Sequence, residues 1–579
     1  MSSGVKKTSP SLQVERVRWR GAVLLALFAL GAAALASRIL YLQLVNKEFL
    51  AAQANDRHLR TVEISAHRGS LTDRDGEPLA VSTPVDTIVC NPRELNDALD
   101  RIGELADATG QDEDSLARKV TSNLGRDFVY LQRHLSPAKA ADILSLGLPG
   151  VSTMREYQRY YPEGEVVGHL LGFTDIDDRG QEGLEAEFDQ WLRGENGSKR
   201  VLQDRLGRVI GDVELIAEAR PGRDLRTSID LRLQYLAYRE LKAMVTDTRA
   251  RSGTVVVLDP STGEVLAMVN QPSYNPNDRS QYAPERVRNR AITDIFEPGS
   301  SFKPLVMAAA IESGGFKPTT IVDTSPGFLR ISNALIIQDD SNLGKVPLTT
   351  VLARSSDVGA ARVALTMEPQ EIWRVLAGFG IGRLTDSGYP GESAGRLNDP
   401  QHWRQIGQAT LAYGYGLAVT PLQLARAYSA IAADGVVRPI SMLAVDKPPA
   451  GTRVISSSTA HALTEMMEAV VSPAGTGKRA AVRNYRVAGK TGTAQKAVVG
   501  GHSDSRHTAF FAGFAPASHP RLVVVVVVDE PQGAAYYGAD VAAPVFSNIV
   551  TGALRVLAVP PDALPASPLT VVAQAQVLP

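Results

Sequence analysis

This sequence of 579 residues has little cysteine and no dominant charge. Cys90 is the single cysteine, which excludes an intramolecular disulfide framework and a cysteine-built metal site. The 61 lysine and arginine residues are matched by 62 aspartate and glutamate residues, for a formal net charge of −1. Nucleic-acid-binding domains are normally strongly basic, so no nucleic-acid partner is expected.

Long apolar runs are scarce as well, and the one of membrane length stands near the N-terminus. Residues 21–37 carry no charge, and after Arg38 a second apolar segment continues to Val45. The uninterrupted run is short for a membrane span, which needs roughly 20 residues. Arg38 can snorkel, however, and the following segment can prolong the helix. We therefore expect a transmembrane anchor at 21–45.

The charges before this run predict its orientation. A basic cluster keeps residues 1–20 in the cytoplasm and places everything after the anchor outside, which in a bacterial inner membrane is the periplasm. A cleaved signal peptide is the alternative, since Ala34-Leu35-Ala36 resembles a processing site. The cluster consists of Lys6, Lys7, Arg16, Arg18 and Arg20.

The rest of the chain divides into three zones, as expected of a length beyond one typical domain. Residues 46–220 mix short strands with loops and charged helices, and we interpret them as an elongated pedestal. Residues 221–557 have strands at both ends and helices between them, which predicts an α+β fold with one antiparallel sheet covered by helices. Residues 558–579 are rich in Pro, Ala and Val and are predicted to be disordered.

Particular strands carry this prediction. In the pedestal, residues 66–80 contain two short strands joined by an Asp-Gly turn. In the large zone, residues 254–259 and 264–269 flank a Pro-Ser-Thr-Gly turn and predict a hairpin. Later strands are expected at 486–496, 508–515 and 522–528.

The large zone contains a Ser-x-x-Lys string that begins at Ser300. The same pattern occurs at Ser3 and Ser136, but the copy at Ser300 follows a Pro-Gly turn and precedes Pro304. A proline is tolerated in the first turn of a helix. Ser300 and Lys303 are therefore predicted on one face of a helix start, where the amine can activate the hydroxyl as a nucleophile.

A second string, Lys490-Thr491-Gly492-Thr493, lies on a predicted strand. Glycine inside a strand usually marks close approach by a ligand or another backbone. Lys490 is thus a candidate for holding a substrate carboxylate, with the two threonine hydroxyls assisting. A phosphate loop also ends in Gly-Lys-Thr, but Asn484 stands where that motif needs its first glycine, so a phosphate loop is excluded.

Together these strings resemble the class B penicillin-binding proteins, bitopic peptidoglycan transpeptidases, and most of all their septal (FtsI) type. The resemblance covers nearly the whole chain after the anchor. It rests on Arg68-Gly69 through Ala80, Arg159-Tyr160-Tyr161-Pro162, Glu297 to Pro304, Ala412-Tyr413-Gly414-Tyr415-Gly416-Leu417, Thr420-Pro421-Leu422-Gln423-Leu424-Ala425 and Lys490-Thr491-Gly492-Thr493.

The resemblance implies a two-step reaction on the D-Ala-D-Ala end of a peptidoglycan stem peptide. Ser300 takes the acyl group, D-alanine leaves, and an amine of a neighbouring stem accepts the acyl group. Beta-lactams would acylate the same serine, and the N–H groups of Ser300 and Thr493 are candidate oxyanion-hole donors. No metal or other cofactor is implied. The expected partners are a membrane-embedded glycan polymerase and other division proteins, and the dimerisation-type pedestal admits a homodimer.

The chain departs from the family pattern at its second motif, Ser-x-Asn. The positional equivalent is Ser355-Ser356-Asp357, in which Ser355 can still shuttle a proton between Lys303 and the leaving amine. An ionised aspartate only accepts hydrogen bonds, whereas asparagine also donates them. We therefore place Asp357 among the substrate-binding residues and expect it to shift the activity optimum toward acid, where a protonated carboxyl group donates like an amide. The alternative is that Asp357 simply substitutes for the asparagine and is neutralised by a neighbouring lysine; a carboxylate near Lys303 would favour the charged form of that amine.

Two other functions share the same motifs. Hydrolysis by a carboxypeptidase or beta-lactamase would let water deacylate Ser300, although the anchor and the pedestal argue against a secreted beta-lactamase. A non-catalytic division scaffold or a beta-lactam-sensing receptor would keep the fold without turnover. The intact set of Ser300, Lys303, Ser355 and Lys490 argues against that alternative.

Overall fold

A computed structural model describes residues 11–47, 59–126, 128–203, 209–333, 335–498 and 501–563. Lys6 and Lys7 of the basic cluster and residues 564–579 of the predicted disordered tail lie outside the described residues. The chain divides into two compact units. The smaller unit comprises residues 1–66, 85–156 and 195–220, and the larger unit comprises residues 67–84, 157–194 and 221–579.

The smaller unit begins with the apolar helix. This helix runs over Ser11–Leu40 and continues as a π-helical turn at Tyr41–Val45. Trp19–Val45 is long and apolar enough to cross a membrane, and it is the one such helix in the described part of the chain. Its large side chains, such as Phe28 and Leu44, are exposed, as expected of a surface that faces lipid.

The rest of the smaller unit contains a three-stranded antiparallel sheet and a helical subdomain. The sheet has the strand order Leu59–Ile64, Gly197–Gln203, Val209–Ala217. The helical subdomain packs around a core that includes Ile88, Leu105 and Leu131. Its elements are the helices Pro92–Asn96, Ile102–Thr109, Glu113–Thr121 and Pro137–Ser145 and the strand Val129–Leu135, together with the parts of Pro78–Cys90 and Val151–Tyr160 that belong to this unit.

The larger unit is built on a five-stranded antiparallel sheet, which confirms the predicted α+β fold. The hairpin strands pair as predicted, with Val256 opposite Met268, and the late valine-rich strand pairs with the hairpin. The strand carrying Lys490 lies at one edge. The strand order is Val265–Gln271, Ser252–Leu258, Leu522–Asp529, Gly501–Ala515, Ala488–Val498.

The valine run is buried on both faces of this sheet because helices cover both. Val524 and Val526 belong to one core, which the helices Leu231–Thr248 and Gly538–Val556 complete. Val523 and Val525 belong to the opposite core, together with Pro421–Ala432. A strand buried on both sides reads as a continuous apolar run rather than an alternating one.

Short elements surround the sheet. The Asp-Gly turn predicted within 66–80 is present, with Gly76 at φ +96° between the strand Leu71–Thr72 and the strand that begins at Pro78. The other helices are Gly168–Leu171, Gly183–Glu187, Asp189–Leu192, Pro284–Val287, Arg290–Thr293, Lys303–Glu312, Leu348–Ala353, Asp357–Leu365, Pro369–Gly378, Gln405–Leu411 and Ser457–Val471. The other strands are Leu225–Arg226, Ile321–Asp323, Phe328–Arg330, Ile336–Gln338, Lys345–Pro347, Val436–Val437 and Thr452–Arg453.

A buried group of charges, here called the arginine cluster, lies within the larger unit. It consists of Arg68, Arg159, Glu185 and Asp189. Glu185 has no exposed side-chain surface and accepts from both arginines, at 2.8 Å from Arg68 Nε and 2.6 Å from Arg159 Nε. Arg68 also donates to Asp189 Oδ1 at 2.7 Å. Two cations therefore meet two anions, which is the pairing that makes buried charge tolerable.

Candidate active site

Ser300 lies in a tight turn at the entrance to a buried helix. The turn is a 3₁₀ segment, Gly299–Phe302, and the α-helix Lys303–Glu312 follows it directly, with Pro304 in its first turn. Lys303 Nζ lies 3.1 Å from Ser300 Oγ, and the Lys303 side chain has no exposed surface. The predicted helix start thus places the amine within hydrogen-bond reach of the hydroxyl.

A close contact with the backbone of Gly414 fixes the position of this turn. Gly299 N donates to the carbonyl oxygen of Gly414 at 3.2 Å. Both glycines have positive φ, and a Cβ added at Gly414 would lie 2.1 Å from the Gly299 oxygen. Such a distance is incompatible with any side chain, so the seam between Gly299 and Gly414 requires glycine.

Ser355 lies between the helices Leu348–Ala353 and Asp357–Leu365, and Asp357 is the first residue of the second helix. Ser355 has a φ of +61°, an uncommon conformation for a residue with a side chain. Its Oγ lies 3.1 Å from Lys303 Nζ, and its carbonyl oxygen accepts from the same amine at 2.5 Å. Asp357 Oδ1 also accepts from Lys303 Nζ at 2.5 Å, as an ion pair. Asp357 therefore faces Lys303.

Asp339 positions this turn and was not found by the sequence reasoning. Its Oδ1 accepts from the backbone N–H groups of Asp357 at 2.6 Å and Val358 at 3.0 Å, and its Oδ2 accepts from Ser356 Oγ at 2.5 Å. A carboxylate at a helix N-terminus satisfies free N–H groups and complements the helix dipole. Asp339 follows an unremarkable Ile-Ile-Gln strand, so the sequence offers no signal for this role.

The edge strand Ala488–Val498 brings Lys490 to the other side of Ser355. Lys490 Nζ lies 2.9 Å from Ser355 Oγ, 3.0 Å from the Thr491 carbonyl oxygen and 3.4 Å from Thr491 Oγ1. A Cβ added at Gly492 would lie 3.0 Å from the Pro298 oxygen, so glycine lets this strand pass close to the nucleophile turn. Thr493 Oγ1 accepts from Gly538 N at 3.0 Å.

Burial and neighbouring charge set the protonation tendencies here. Burial lowers the pKa of Lys490 well below its usual value, the charge of Lys303 lowers it further, and Asp357 partly opposes both effects. Burial is also the main reason why the pKa of Tyr413 is raised, and the nearby Asp357 carboxylate adds to it. Burial and charge thus shift Lys490 toward its neutral form and Tyr413 further toward the neutral phenol.

A second network joins the nucleophile turn to the hairpin formed by the Lys490 strand and its neighbour. Glu297 Oε1 accepts from Gly416 N at 2.8 Å, and its Oε2 lies 2.6 Å from His502 Nε2. Tyr415 OH accepts from Gln495 N at 3.2 Å. The motifs around Glu297 and Tyr415 were found in the sequence, but their link through His502 was not, because it spans more than 200 residues.

The structure thus brings the hydroxyls of Ser300 and Ser355 and the amines of Lys303 and Lys490 into one continuous chain of contacts. Asp357 and Thr491 adjoin it. Of the two competing Ser-x-x-Lys copies, the one at Ser3 lies outside the described residues, and the one at Ser136 has a local explanation, since Ser136 Oγ caps the helix Pro137–Ser145. An amine next to a hydroxyl can activate it as a nucleophile, and a second amine can hold or move a further proton.

Comparisons with known proteins agree with this chemistry. Residues 253–551 match the penicillin binding protein transpeptidase domain, and residues 63–227 match the penicillin-binding protein dimerisation domain. The chain is 43% identical over 572 residues to the peptidoglycan D,D-transpeptidase FtsI of Escherichia coli, covering 97% of each chain. It is 40% identical over 554 residues to the probable peptidoglycan D,D-transpeptidase PbpC of Pseudomonas aeruginosa, covering 96% of this chain and 98% of that one.

Solved structures are similar as well. The transpeptidase domain of Burkholderia pseudomallei penicillin-binding protein 3 is 44% identical, with a TM-score of 0.54 over 58% of this chain and 98% of that one. Penicillin-binding protein 3 of Mycobacterium tuberculosis, solved in complex with aztreonam, is 27% identical, with a TM-score of 0.67 over 87% of this chain and 100% of that one. Both likenesses extend to the part of the chain that carries Ser300.

Proposed function

The chain belongs to the FtsI type of the class B penicillin-binding proteins, and we propose that Ser300 is the nucleophile with which it cross-links peptidoglycan. The protein is a serine-type peptidoglycan D,D-transpeptidase. The observation that carries the assignment of Ser300 is its 3.1 Å contact with Lys303, which continues through Ser355 to Lys490. A scaffold without turnover would need none of these contacts.

The reaction follows from these groups. Ser300 Oγ attacks the carbonyl carbon of the penultimate D-alanine, the C–N bond to the last D-alanine breaks, and the leaving nitrogen takes up a proton. An amine of a second stem peptide then attacks the acyl-enzyme and releases Ser300. A beta-lactam enters by the same first step, because the attack opens its ring amide while the acyl group stays on the enzyme.

The edge strand supplies the substrate-binding groups in this proposal. An extended stem peptide pairs with the free edge at Lys490–Thr493 as an added strand, which is a common mode of peptide recognition. The hydroxyls of Thr491 and Thr493 hold the terminal carboxylate, and Gly492 leaves space for the close approach. The N–H groups of Ser300 and Thr493 stabilise the oxyanion.

The remaining assignments concern the cell. The protein is a single-pass inner-membrane protein, and the proposed orientation puts the N-terminus in the cytoplasm and the catalytic unit in the periplasm. In this proposal residues 46–220 act as a pedestal, and the protein works at the division septum beside a membrane-embedded glycan polymerase and other division proteins. The match to a dimerisation domain supports a homodimer as a further proposal.

Covalent labelling tests the nucleophile. The full-length protein in detergent is incubated with a fluorescent penicillin, and we expect stoichiometric labelling that Ser300→Ala abolishes. Ser136→Ala is the matched control, because Ser136 heads the competing Ser-x-x-Lys copy and only caps a helix. Labelling that survives Ser300→Ala would refute the assignment.

Product analysis separates transfer from hydrolysis. The enzyme is supplied with a stem pentapeptide and an amine acceptor, and we expect the cross-linked product together with released D-alanine. Release of D-alanine with no cross-linked product at any acceptor concentration would instead indicate a carboxypeptidase.

A further inference from the structure

Two buried lysines, here called the lysine pair, share one carboxylate in this site. Lys303 and Lys490 have no exposed surface, and both contact Ser355 Oγ, at 3.1 Å and 2.9 Å. Lys303 forms an ion pair with Asp357. Within the described residues, no carboxylate lies within 4.0 Å of Lys490. The two amines therefore differ in the one contact that stabilises an ammonium ion most.

The contacts of Lys303 require the protonated, ammonium form of its amine. The Ser355 carbonyl oxygen and an ionised Asp357 carboxylate can only accept, and both lie 2.5 Å from Lys303 Nζ. Two N–H groups are thus committed to them. The third N–H of the ammonium form reaches a hydroxyl, either Ser300 Oγ or Ser355 Oγ, each at 3.1 Å.

The contacts of Lys490 suit a neutral amine equally well. Its two N–H groups reach the carbonyl oxygen and the hydroxyl of Thr491, and its lone pair faces Ser355 Oγ at 2.9 Å. A serine hydroxyl donates as readily as it accepts. Burial and the adjacent Lys303 charge lower the pKa of Lys490, in agreement with this geometry.

We propose that the Asp357 carboxylate holds Lys303 in its ammonium form, and that Lys490 finally receives the proton that the Ser300 hydroxyl gives up. This inference rests on the proposed function of Ser300 and adds the path of its proton. The sequence pattern indicated Lys303 as the base and Lys490 as a carboxylate holder. The ion pair with Asp357 moves the base role from Lys303 to Lys490.

The step balances without any further reagent. Ser355 passes its hydroxyl proton to Lys490, Lys303 passes one of its own protons to Ser355 Oγ, and the lone pair that this leaves on Lys303 takes the proton of the Ser300 hydroxyl. Lys303 remains an ammonium ion and Ser355 a hydroxyl, while a bond forms between Ser300 Oγ and the carbonyl carbon. When the C–N bond breaks, the proton on Lys490 returns through Ser355 to the leaving nitrogen.

This path also links base action to substrate charge. The proton reaches Lys490 beside the threonine hydroxyls proposed to hold the substrate carboxylate. An ammonium–carboxylate attraction therefore grows as the acylation transition state forms, and interactions that strengthen at that point are the ones that accelerate the chemical step.

The other titratable groups near the pair leave this path open. Tyr413 stays a neutral phenol, since burial and Asp357 both raise its pKa. Tyr415, on the same loop, also has its pKa raised, chiefly by burial. Asp339 is occupied by Ser356 and two backbone N–H groups, and Glu297 by Gly416 and His502.

The path changes the expected pH dependence. The acid optimum predicted from the sequence requires Asp357 to donate a hydrogen bond to the substrate, but the carboxylate accepts from Lys303 instead. Wild-type acylation should need Lys490 as the free amine. It should therefore be fast above the pKa of Lys490 and slow down as the pH falls through it.

A double-mutant cycle measures the exchange of roles. The second-order rate of acylation by a fluorescent penicillin is measured from pH 5 to pH 9 for wild type, Lys490→Arg, Asp357→Asn and the double variant. Arginine holds a carboxylate but does not release its proton. In wild type we expect Lys490→Arg to lower the rate about 100-fold, the lower end of general-base effects. In Asp357→Asn, where Lys303 is free to act as base, we expect a loss below about 5-fold.

A second pair of variants guards against poor folding of Lys490→Arg. Ser355→Ala removes the delivery of the proton to the leaving nitrogen in both backgrounds, and in wild type it also cuts the path between the lysines, so it should cost more in wild type than in Asp357→Asn. Lys496→Arg, on the same strand but paired with Asp529 and Glu530, is the matched control and should change nothing. Thermal unfolding of each variant reports its folding.

If Lys490→Arg lowers the acylation rate by the same factor in wild type and in Asp357→Asn, the proposed path is wrong, since Lys490 would then serve only as a carboxylate holder. Superposable pH profiles of wild type and Asp357→Asn would overturn it as well. A wild-type protein that takes no label at all would instead refute the proposed function of Ser300.

Discussion

The arginine cluster and the lysine pair are both buried groups of charge in the larger unit, but their charges balance differently. In the arginine cluster two guanidinium groups meet two carboxylates, and Glu185 bridges both arginines. In the lysine pair two amines meet the single carboxylate of Asp357. The charges of the arginine cluster balance without any change of protonation. The lysine pair, in contrast, must either release a proton or bind an anion.

This difference separates structural charge from chemical charge. Arginine does not deprotonate in proteins and its planar fork suits fixed carboxylate geometry. Lysine shifts its pKa readily when buried, so an excess of buried lysine creates a group that exchanges protons. The residue types therefore match the roles that the contacts indicate, and each role can be tested by upsetting the balance.

The largest expected effect comes from unbalancing the arginine cluster. Glu185→Gln removes the carboxylate that pairs with Arg159 and leaves Arg68 paired with Asp189, and breaking a buried pair in this way costs about 3–5 kcal/mol of unfolding free energy. The denaturation midpoint of the full-length protein in detergent measures the loss. Asp446→Asn is the control, because its ion pair with Arg226 is exposed and should contribute less than about 1 kcal/mol. Similar losses in both variants would show that the cluster is not a structural element.

A smaller effect of opposite sign is expected at Asp178, a third acid beside the balanced cluster. Burial raises the pKa of this carboxyl to about 6, while Arg68 and Arg159 only partly oppose that shift. The folded state therefore binds the proton more tightly than the unfolded state, and stability is lost as the pH rises through about 6. Asp178→Asn removes this loss and tolerates the positive φ of the position.

The measurement is unfolding of both proteins between pH 4 and pH 8. We expect the variant to be more stable by about 1–3 kcal/mol at pH 8. The difference should shrink steadily toward pH 4, because the folded carboxyl group is then protonated and the unfolded one is about half protonated. A pH-independent difference would show that the charge of Asp178 is not its cause.

The smallest effect is expected at Asp339, whose carboxylate neutralises backbone dipoles instead of a side chain. Asp339→Asn weakens the hold on the turn that carries Ser355 and Asp357, at a cost of about 1 kcal/mol. Acylation by a fluorescent penicillin should slow by about 5-fold, the equivalent of that free energy, with an unchanged pH profile. A profile that moves with the substitution would place Asp339 in the proton path.

Much of the fold follows from the sequence. The hairpin around Pro260–Gly263 and the late strands were predicted from turn residues and β-branched runs, and both are confirmed. The valine run could be recognised as a strand because a strand covered on both faces needs no alternation of apolar and polar residues. Such local patterns survive in the folded chain because they agree with the tertiary contacts.

The site was predictable only where a motif carries it. Ser300, Lys303 and Lys490 were proposed from their strings and Ser355 from its position in the family pattern, and the structure brings these four side chains into contact. Asp339 and His502 were not, because each acts through a contact with a distant segment and has no local signature. Asp357 was found, but the direction in which its carboxylate points depends on Lys303, and no sequence pattern states that.

The seam between Gly299 and Gly414 has a consequence for how such an enzyme changes under drug selection. No side chain fits at Gly414, so a substitution there would disrupt the nucleophile turn that contains Gly299. Variants that escape an inhibitor and still cross-link peptidoglycan are therefore expected to arise outside this seam. The seam therefore keeps the attacking hydroxyl in one position while residues elsewhere are free to change.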